Sequence, residues 1–546
     1  MTLGRRSGQG SLFGPDPFLT QRVGKDSFYG FLASQYGKLF NDDEFAELYK
    51  LHNGRPSVPP SLLATALLLQ TYDRVSDEEA KLRADFDLRW KVALGVPLDE
   101  SPFAKSTLQL FRSQLILHGK LLAYFEKSVA FARQMGHLKS HKIQIVLDTS
   151  FIFGRGAVKD TYNLLGAGIA KLIRVLAELA GQSPRSWSRV HLLERYFDGS
   201  LKGNARIDWE NVKARAVFLN GIVADADRLL EMARENLTDY EAESAEHKRL
   251  IEASNLLGQL LLQDVERTAE GVSIKKGTAK DRVVSVEDPE MRHGHKSATK
   301  RFNGHKVAIA VDPESQIITA VDVLPGNASD CEHALDLVKQ SEASTKAEVN
   351  EVIGDCAYGA GATRQEFADA GIKLVAKVPS RPNGKHFAKQ DFQIDPIAKT
   401  CVCPAGNTCS NLVKLSSIRV SDDKTQEKRG FRFDRDLCAN CPLLPQCVKS
   451  KSGQGRTVSL HPQEAMLQDA RAFQQSDEFA PYRKSRQAAE HRLARLMQLG
   501  MRQARYFGRV KTRCQSFLAA MIANLTLVAR SVGLMRQPRS VSAPAI

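Results

Sequence analysis

The run Ile143, Gln144, Ile145, Val146, Leu147 ends on Asp148, and the run Val352, Ile353, Gly354 ends on Asp355. Short apolar, β-branched runs read as buried strands, and a strand that ends on an acid has no packing reason to do so. Strand character covers 143–153 and returns at 306–311, 317–324, 351–355 and 373–378; the turn Asp312, Pro313, Glu314, Ser315 marks a hairpin. Helical patterning fills 332–340 and 364–370. The order strand, insertion, hairpin, helix, strand, helix, strand predicts an α/β fold built on a mixed sheet with flanking helices.

At 546 residues the chain exceeds one compact core, and several domains are expected. Helical patterning at 16–136 predicts an N-terminal all-α domain over 1–139, with a buried helix at 61–72 and a second helix capped by Ser106. The second helix displays Gln109, Arg112, Ser113 and Gln114, side chains able to touch phosphates and bases. A catalytic core is expected over 140–395, with a helical insertion at about 160–285. A Cys-rich insertion at 396–453, basic C-terminal helices at 454–535 and a disordered tail at 536–546 complete the expected division.

The formal charge of +15 favours a polyanionic partner through counterion release. Its distribution says more than its size. From Tyr482 to Arg530 there are eleven Lys or Arg and a single acid, Glu490, whereas a solvated helix face mixes both signs. Arg483, Arg486, Arg495, Arg502 and Arg505 belong to this stripe, interleaved with Tyr506 and Phe507. Lys105, Arg112 and Lys306 are further candidates for contact with DNA. No apolar stretch approaches the roughly 20 residues that span a bilayer, and the polar start lacks the apolar core of a signal peptide, so a cytoplasmic protein with no membrane partner is expected.

Six of the nine cysteines fall between Cys401 and Cys447, a local cluster that points to a metal site in a reducing compartment. Cys438 and Cys441, two residues apart, can turn both thiolates to one tetrahedral Zn²⁺, with Cys447 as a third ligand. Cys403 is the expected fourth ligand, and Cys401 and Cys409 compete for that place. Such closed coordination makes a structural, zinc-ribbon-like insertion.

Asp148, Asp355 and Glu490 are the candidate catalytic residues. Phosphoryl transfer on two divalent ions needs oxygen ligands that bridge hard cations about 3.5–4 Å apart. Two acids on adjacent strands and a third on a helix crossing the sheet meet that need, with Mg²⁺ or Mn²⁺ as the ions.

The runs around Asp148 and Asp355, the helix Arg486, Gln487, Ala488, Ala489, Glu490, the segment Arg301 to Val307, and Leu324, Pro325, Gly326, Asn327, Ala328, Ser329, Asp330 resemble the DDE transposases of bacterial insertion sequences. So does Gly54, Arg55, Pro56, Ser57, Val58, Pro59, Pro60. The resemblance implies an RNase H-like core with Asp148, Asp355 and Glu490 as its triad, and N-terminal helices that bind the element's terminal inverted repeats. It implies double-stranded DNA as partner (element ends and target), a nucleoid-associated location and a homodimer that joins two ends to one target. The sequence departs from the related signature at two places: Met497 stands where a basic residue follows the Glu, with Arg495 two residues earlier, and the usual Tyr is displaced by one, at Tyr482. An RNase H-like nuclease without strand transfer and a catalytically inactive DNA-binding repressor are the alternative readings.

Overall fold

The computed structural model describes residues 1–6, 17–50, 54–269, 271–297, 299–380, 383–421, 424–449 and 454–536; the tail expected to be disordered lies, from 537 on, outside the described residues. The N-terminal region is helical, with α1 (Pro60–Asp73), α2 (Asp77–Phe86), α3 (Lys105–Leu117) and α4 (Leu121–Gln134) as its main helices. Helix α1 carries Leu62, Leu63, Leu67, Leu68 and Leu69 in the core, and Pro at its first position supplies a preset φ. Helix α3 starts one residue before Ser106; Ala104 holds the N-cap position without a side-chain bond, so the expected Ser106 cap is corrected.

Strand β1 (Lys142–Phe153) opens the sheet and runs five residues past Asp148. The acid therefore interrupts a strand and does not close it. The chain then leaves the sheet through α5 (Thr161–Leu179), α6 (Val212–Leu237), α7 (Ala245–Asp264) and the small hairpin β2 (Val265–Thr268) and β3 (Gly271–Ile274). Residues from Tyr162 to Val286 bury a core of their own, including Leu172, Ile222 and Leu257. The buried pair His305 Nε2 and Asp288 Oδ2, 3.4 Å apart, fastens the segment that follows this core to the sheet.

The chain re-enters the sheet as β4 (Arg292–His295), β5 (Arg301–Val311) and β6 (Ile318–Pro325), crosses α8 (Ala334–Thr345), and continues with β7 (Glu348–Ile353), α9 (Gly361–Asp369) and β8 (Lys373–Val375). The strand order is β4-β5-β1-β7-β8, with β6 also pairing β5. Strand β1 is antiparallel to β5 and parallel to β7, and β7 is parallel to β8. This curled mixed sheet with helices on its faces is an RNase H-like core.

The period-2 alternation of strand side chains sorts the two faces. Ile143, Ile145 and Leu147 share a cluster with Ala308, Ala310, Leu337 and Phe367 under α8 and α9. Val146 and Ile152 instead share one with Val307, Ile309 and Val311. That second cluster runs on without a break into α11 (Gln487–Leu496), α12 (Arg509–Ser531) and the N-terminal helices. Between β8 and these last helices the chain forms two three-stranded sheets and then α10 (Glu464–Gln475). One sheet comprises β9 (Gln393–Asp395), β10 (Thr400–Val402) and β11 (Thr408–Cys409); the other comprises β12 (Leu412–Ser421), β13 (Lys424–Arg432) and β14 (Thr457–Leu460).

A buried asparagine joins the N-terminal helices, α12 and the sheet. Asn524 Oδ1 accepts from the Ile318 N–H at 2.9 Å, and its Nδ2 donates to the Ile318 carbonyl at 2.8 Å and to Ser128 Oγ at 3.2 Å. The edge of β6 thus finds its backbone partner in a side chain. Asn524→Ala should cost about 2–5 kcal/mol, since each buried group left unpaired costs roughly 1–3 kcal/mol. Urea unfolding would measure it; a loss below about 1 kcal/mol would mean that the edge finds other partners.

Candidate functional site

Asp148 pairs with Ile309 across β1 and β5, which turns its side chain to the face covered by α11 and α12. Asp355 follows two residues after β7, beside β1 in the parallel pair. Glu490 lies on α11, which packs across β1 and β5. Each strand acid has one oxygen held by the backbone: Asp148 Oδ1 accepts from the Thr149 N–H at 2.8 Å, and Asp355 Oδ1 accepts from the Ala357 N–H at 2.8 Å.

The three acids share one electrostatic neighbourhood. Burial raises the Asp148 carboxyl to about 6; the Thr149 N–H opposes this, Asp355 and Glu490 add to it, and Arg486 works against it. Arg486 Nη2 donates to Glu490 Oε1 at 2.7 Å, one helical turn away. Glu490 is 54% exposed, so this ion pair contributes little to stability. A carboxylate raised by burial beside two other acids is a candidate functional residue.

The donor set is all carboxylate oxygen, which fits hard divalent ions in chemistry. In the side-chain conformations present, no group of three or more His, Cys, Asp or Glu among the described residues encloses a metal ion. Arg486 holds Glu490 in this state.

Tyr482 anchors the start of this helical region. Its hydroxyl donates to Glu351 Oε1 on β7 at 2.8 Å and accepts from Lys373 Nζ on β8 at 3.1 Å, and Lys373 pairs with Glu351 at 2.6 Å. The displaced tyrosine thus ties the segment before α11 to both parallel strands. The other departure, Met497, packs against the shared core, and Arg495 Nη1 donates to Gln498 Oε1 at 3.2 Å.

Sequence reasoning missed two residues beside the acids. Tyr358 is 1% exposed, its hydroxyl has no hydrogen-bond partner among the described residues, and burial followed by Asp148, Asp330 and Asp355 pushes it well above the usual phenol range. Gly354 is required beneath it, because a Cβ there would stand 2.7 Å from the ring. The run Ala357, Tyr358, Gly359 after Asp355 carries a turn signal, which gives no sign of a buried hydroxyl near three acids. Asp330 is held by Lys306 Nζ at 2.7 Å, and the same ammonium donates to the Ala328 carbonyl at 2.7 Å.

The candidate DNA contacts divide by exposure. Lys306 is therefore committed beneath the sheet end. Arg112 turns inward: it is 6% exposed, its Nη2 meets Asp77 Oδ1 at 2.5 Å, and its guanidinium lies over the Tyr506 ring. Burial works against ionisation of Asp77, yet bonds from Arg112, Gln109 and Gln70 hold its carboxyl well below the usual range. Arg505 reaches the same Asp77 at 3.6 Å, so this network docks the N-terminal helices on the loop before α12. Lys105 pairs with Glu78 at 2.6 Å on the surface. Arg483 stands over Phe479 and Arg502 over Phe151, both as cation–π contacts.

Cys403 neighbours both the Cys401 and Cys409 pair and Cys447. Cys401 and Cys409 face each other across β10 and β11, both buried, and Cys409 Sγ donates to the Arg432 carbonyl at 3.2 Å. Burial, then Cys409 and Cys403, push Cys401 up to about 12. Burial also raises Cys447; Arg456 opposes it, and Cys438, Cys403 and Cys441 reinforce it. Cys403 opens a tight turn in which its carbonyl accepts from the Gly406 N–H at 2.8 Å, and the Cys438 carbonyl accepts from the Cys441 N–H at 3.2 Å. Cys403, Cys438 and Cys441 lie on these turns and Cys447 ends a short helix (Leu444–Cys447); four thiols suit a soft, tetrahedral ion in donor type.

An RNase H-like core does not by itself name an activity, and comparison with known families narrows the reading. A family described as Transposase DDE domain matches residues 402–529, and one described as Transposase domain (DUF772) matches residues 18–114. Together the two matches support a DDE transposase of insertion-sequence type. The first covers Glu490 and the second α1, α2 and most of α3; Asp148 and Asp355 fall between them. No curated protein matches, and no solved structure matches. Among the described residues no helix is long and apolar enough to cross a membrane.

Proposed function

We propose that this transposase binds the terminal inverted repeats of its element, cuts the DNA strand and transfers the freed end to a target through Asp148, Asp355 and Glu490. The observation that carries this reading is placement: Asp148 lies on β1, Asp355 follows the neighbouring parallel strand β7, and Glu490 lies on α11, which packs across β1 and β5, although the three acids come from distant parts of the chain. Asp148 and Asp355 would hold a pair of Mg²⁺ or Mn²⁺ ions, and Glu490 would hold one of them once Arg486 turns to the DNA. Ions bound there activate an attacking oxygen and stabilise a leaving oxygen.

The protein's own part is placement. The backbone N–H groups of Thr149 and Ala357 fix the two strand carboxylates, and the Tyr482, Glu351 and Lys373 network fixes the approach of the Glu490 helix. Arg483, Arg486, Arg502 and the other exposed basic residues would track the sugar-phosphate backbone. Water displaces the 3′ oxygen of the element strand, and that hydroxyl then displaces a 3′ oxygen in target DNA, with no covalent protein intermediate. Arg112 and Lys306 are left out of the contact set because their charges are spent inside the protein.

The N-terminal helices over 1–139 would read the element ends, and 396–453 would form a zinc ribbon held by Cys403, Cys438, Cys441 and Cys447. Joining two ends to one target calls for a homodimer, acting on nucleoid DNA in the cytoplasm. Incubating the protein with Mg²⁺, labelled duplexes ending in the inverted repeats that flank its coding region, and supercoiled target is the test. Cut and joined products are expected. Cutting without joining would leave a nuclease, and tight end binding with neither product would leave a repressor.

A further inference from the structure

Helix α11 carries two opposite charges on opposite sides. At about 100° per residue, Arg492 stands roughly 200° round from Glu490, and it turns away from the acids into the protein. Arg492 is 6% exposed, and its Nε and Nη2 have no hydrogen-bond partner among the described residues. Nor does any carboxylate among them pair with it in an ion pair. Its charged neighbours are arginines: burial, then Arg495 and Arg530, push Arg492 down to about 10.

Arg495 and Arg530 lie in the last turns of α11 and α12, where a cation suits the helix dipole. That argument does not extend to Arg492, whose orphaned nitrogens reach no carbonyl. The large majority of buried polar groups in native proteins are paired, and a buried cation among like charges is a costly exception. What Arg492 itself lacks among the described residues is an anion. Arg495 and Arg530 are partly exposed, so the cluster extends to the surface.

We propose that Arg492, Arg495 and Arg530 form a site for a phosphate group on the side of the Glu490 helix turned away from the acids. Guanidinium is the side chain for this task, because its planar fork bonds a tetrahedral oxyanion in pairs and loses little hydration on burial. A phosphodiester of bound DNA is the source we favour, which rests on the DNA-processing reading above; inorganic phosphate shares the chemistry. Occupancy would fix the helix that carries Glu490, so Arg492 is a positioning residue that never touches the reacting atoms.

The test uses the full chain, wild type and Arg492→Gln, with Arg492→Met as a second variant. In chloride buffer, 10 mM inorganic phosphate should raise the wild-type Tm by about 1–3 °C, the size of a ligand present at several times its Kd, and should leave Arg492→Gln unmoved. Arg492→Met, which removes the uncompensated charge but keeps the bulk, should melt no lower than wild type without phosphate. With an element-end duplex, the slope of log K against log salt should fall by about one in Arg492→Gln.

Equal phosphate responses in wild type and Arg492→Gln would overturn the site, as would an Arg492→Met protein that is much less stable, since that marks an ordinary structural arginine. A phosphate response lost in Arg492→Gln with an unchanged salt slope would assign the site to inorganic phosphate and overturn the DNA source. A chain that keeps this phosphate response yet binds no DNA would sink the DNA-processing reading while the site stands.

Discussion

Asp148→Asn, Asp355→Asn and Glu490→Gln should each leave end binding intact and lower strand cleavage by at least about 10²–10³-fold, the loss expected when one preorganised electrostatic contact is removed. The two Asp variants should be the more severe, because one side chain sits on β1 and the other just past β7, each held by a backbone N–H, and both would be shared between ions, whereas Glu490 is exposed and already paired with Arg486. Stability should move the other way for Asp148. With its folded pKa raised to about 6 from an ordinary value near 3.8, the folded state binds the extra proton. Asp148 therefore favours folding below about pH 4, and that contribution is lost as the pH rises through about 6. At pH 7.5 without divalent ions, Asp148→Asn should melt about 1–3 °C above wild type, and Mg²⁺ should raise the wild-type Tm but not that of the variant. Gel assays on end duplexes and thermal melts with and without Mg²⁺ measure the two halves. Undiminished cleavage in all three variants would remove the triad, and a lower Tm for Asp148→Asn would mean that its carboxylate is already compensated.

The second large effect concerns the cysteines. Replacing Cys438 and Cys441 by Ser should drop zinc from about one ion per chain to almost none, as expected for a closed four-thiolate site. It should also expose 396–453 to protease, because structural zinc contributes on the order of 10 kcal/mol of folding free energy to small domains. Cys409→Ser should keep its zinc, since Cys409 points into the β10–β11 pair and donates to the Arg432 carbonyl. Cys403→Ser should lose it. Metal analysis of the purified proteins decides between them: zinc retained in Cys403→Ser and lost in Cys409→Ser would reverse the ligand assignment.

Several elements were legible from pattern because local chemistry dictates them. The β-branched runs became β1, β5, β6 and β7, and the leucine-rich run became α1. Ser106 failed as a cap because α3 begins at Lys105, where the preceding backbone is already extended at Ala104. Arg112 looked like a base-reading side chain because helical spacing alone does not say which side faces solvent. Asp77, 35 residues earlier, decides that it faces in. The same holds for Lys306, claimed by Asp330 across the β5–β6 hairpin.

What the sequence determined by itself was the inventory: which runs form strands, that Asp148, Asp355 and Glu490 stand apart from their packing surroundings, that the positive charge gathers near the C-terminus, and that the cysteines cluster. These follow from side-chain periodicity and composition, which are local. Tertiary structure alone decided which groups meet. Only the folded chain brings Asp355 and Glu490 to bear on Asp148, pairs Cys401 with Cys409 across two strands, and buries Arg492 without a hydrogen-bond partner among the described residues while pairing Arg112. Electrostatic and hydrogen-bond energies depend on distance in space and on burial, and neither is written in the spacing of residues along the chain.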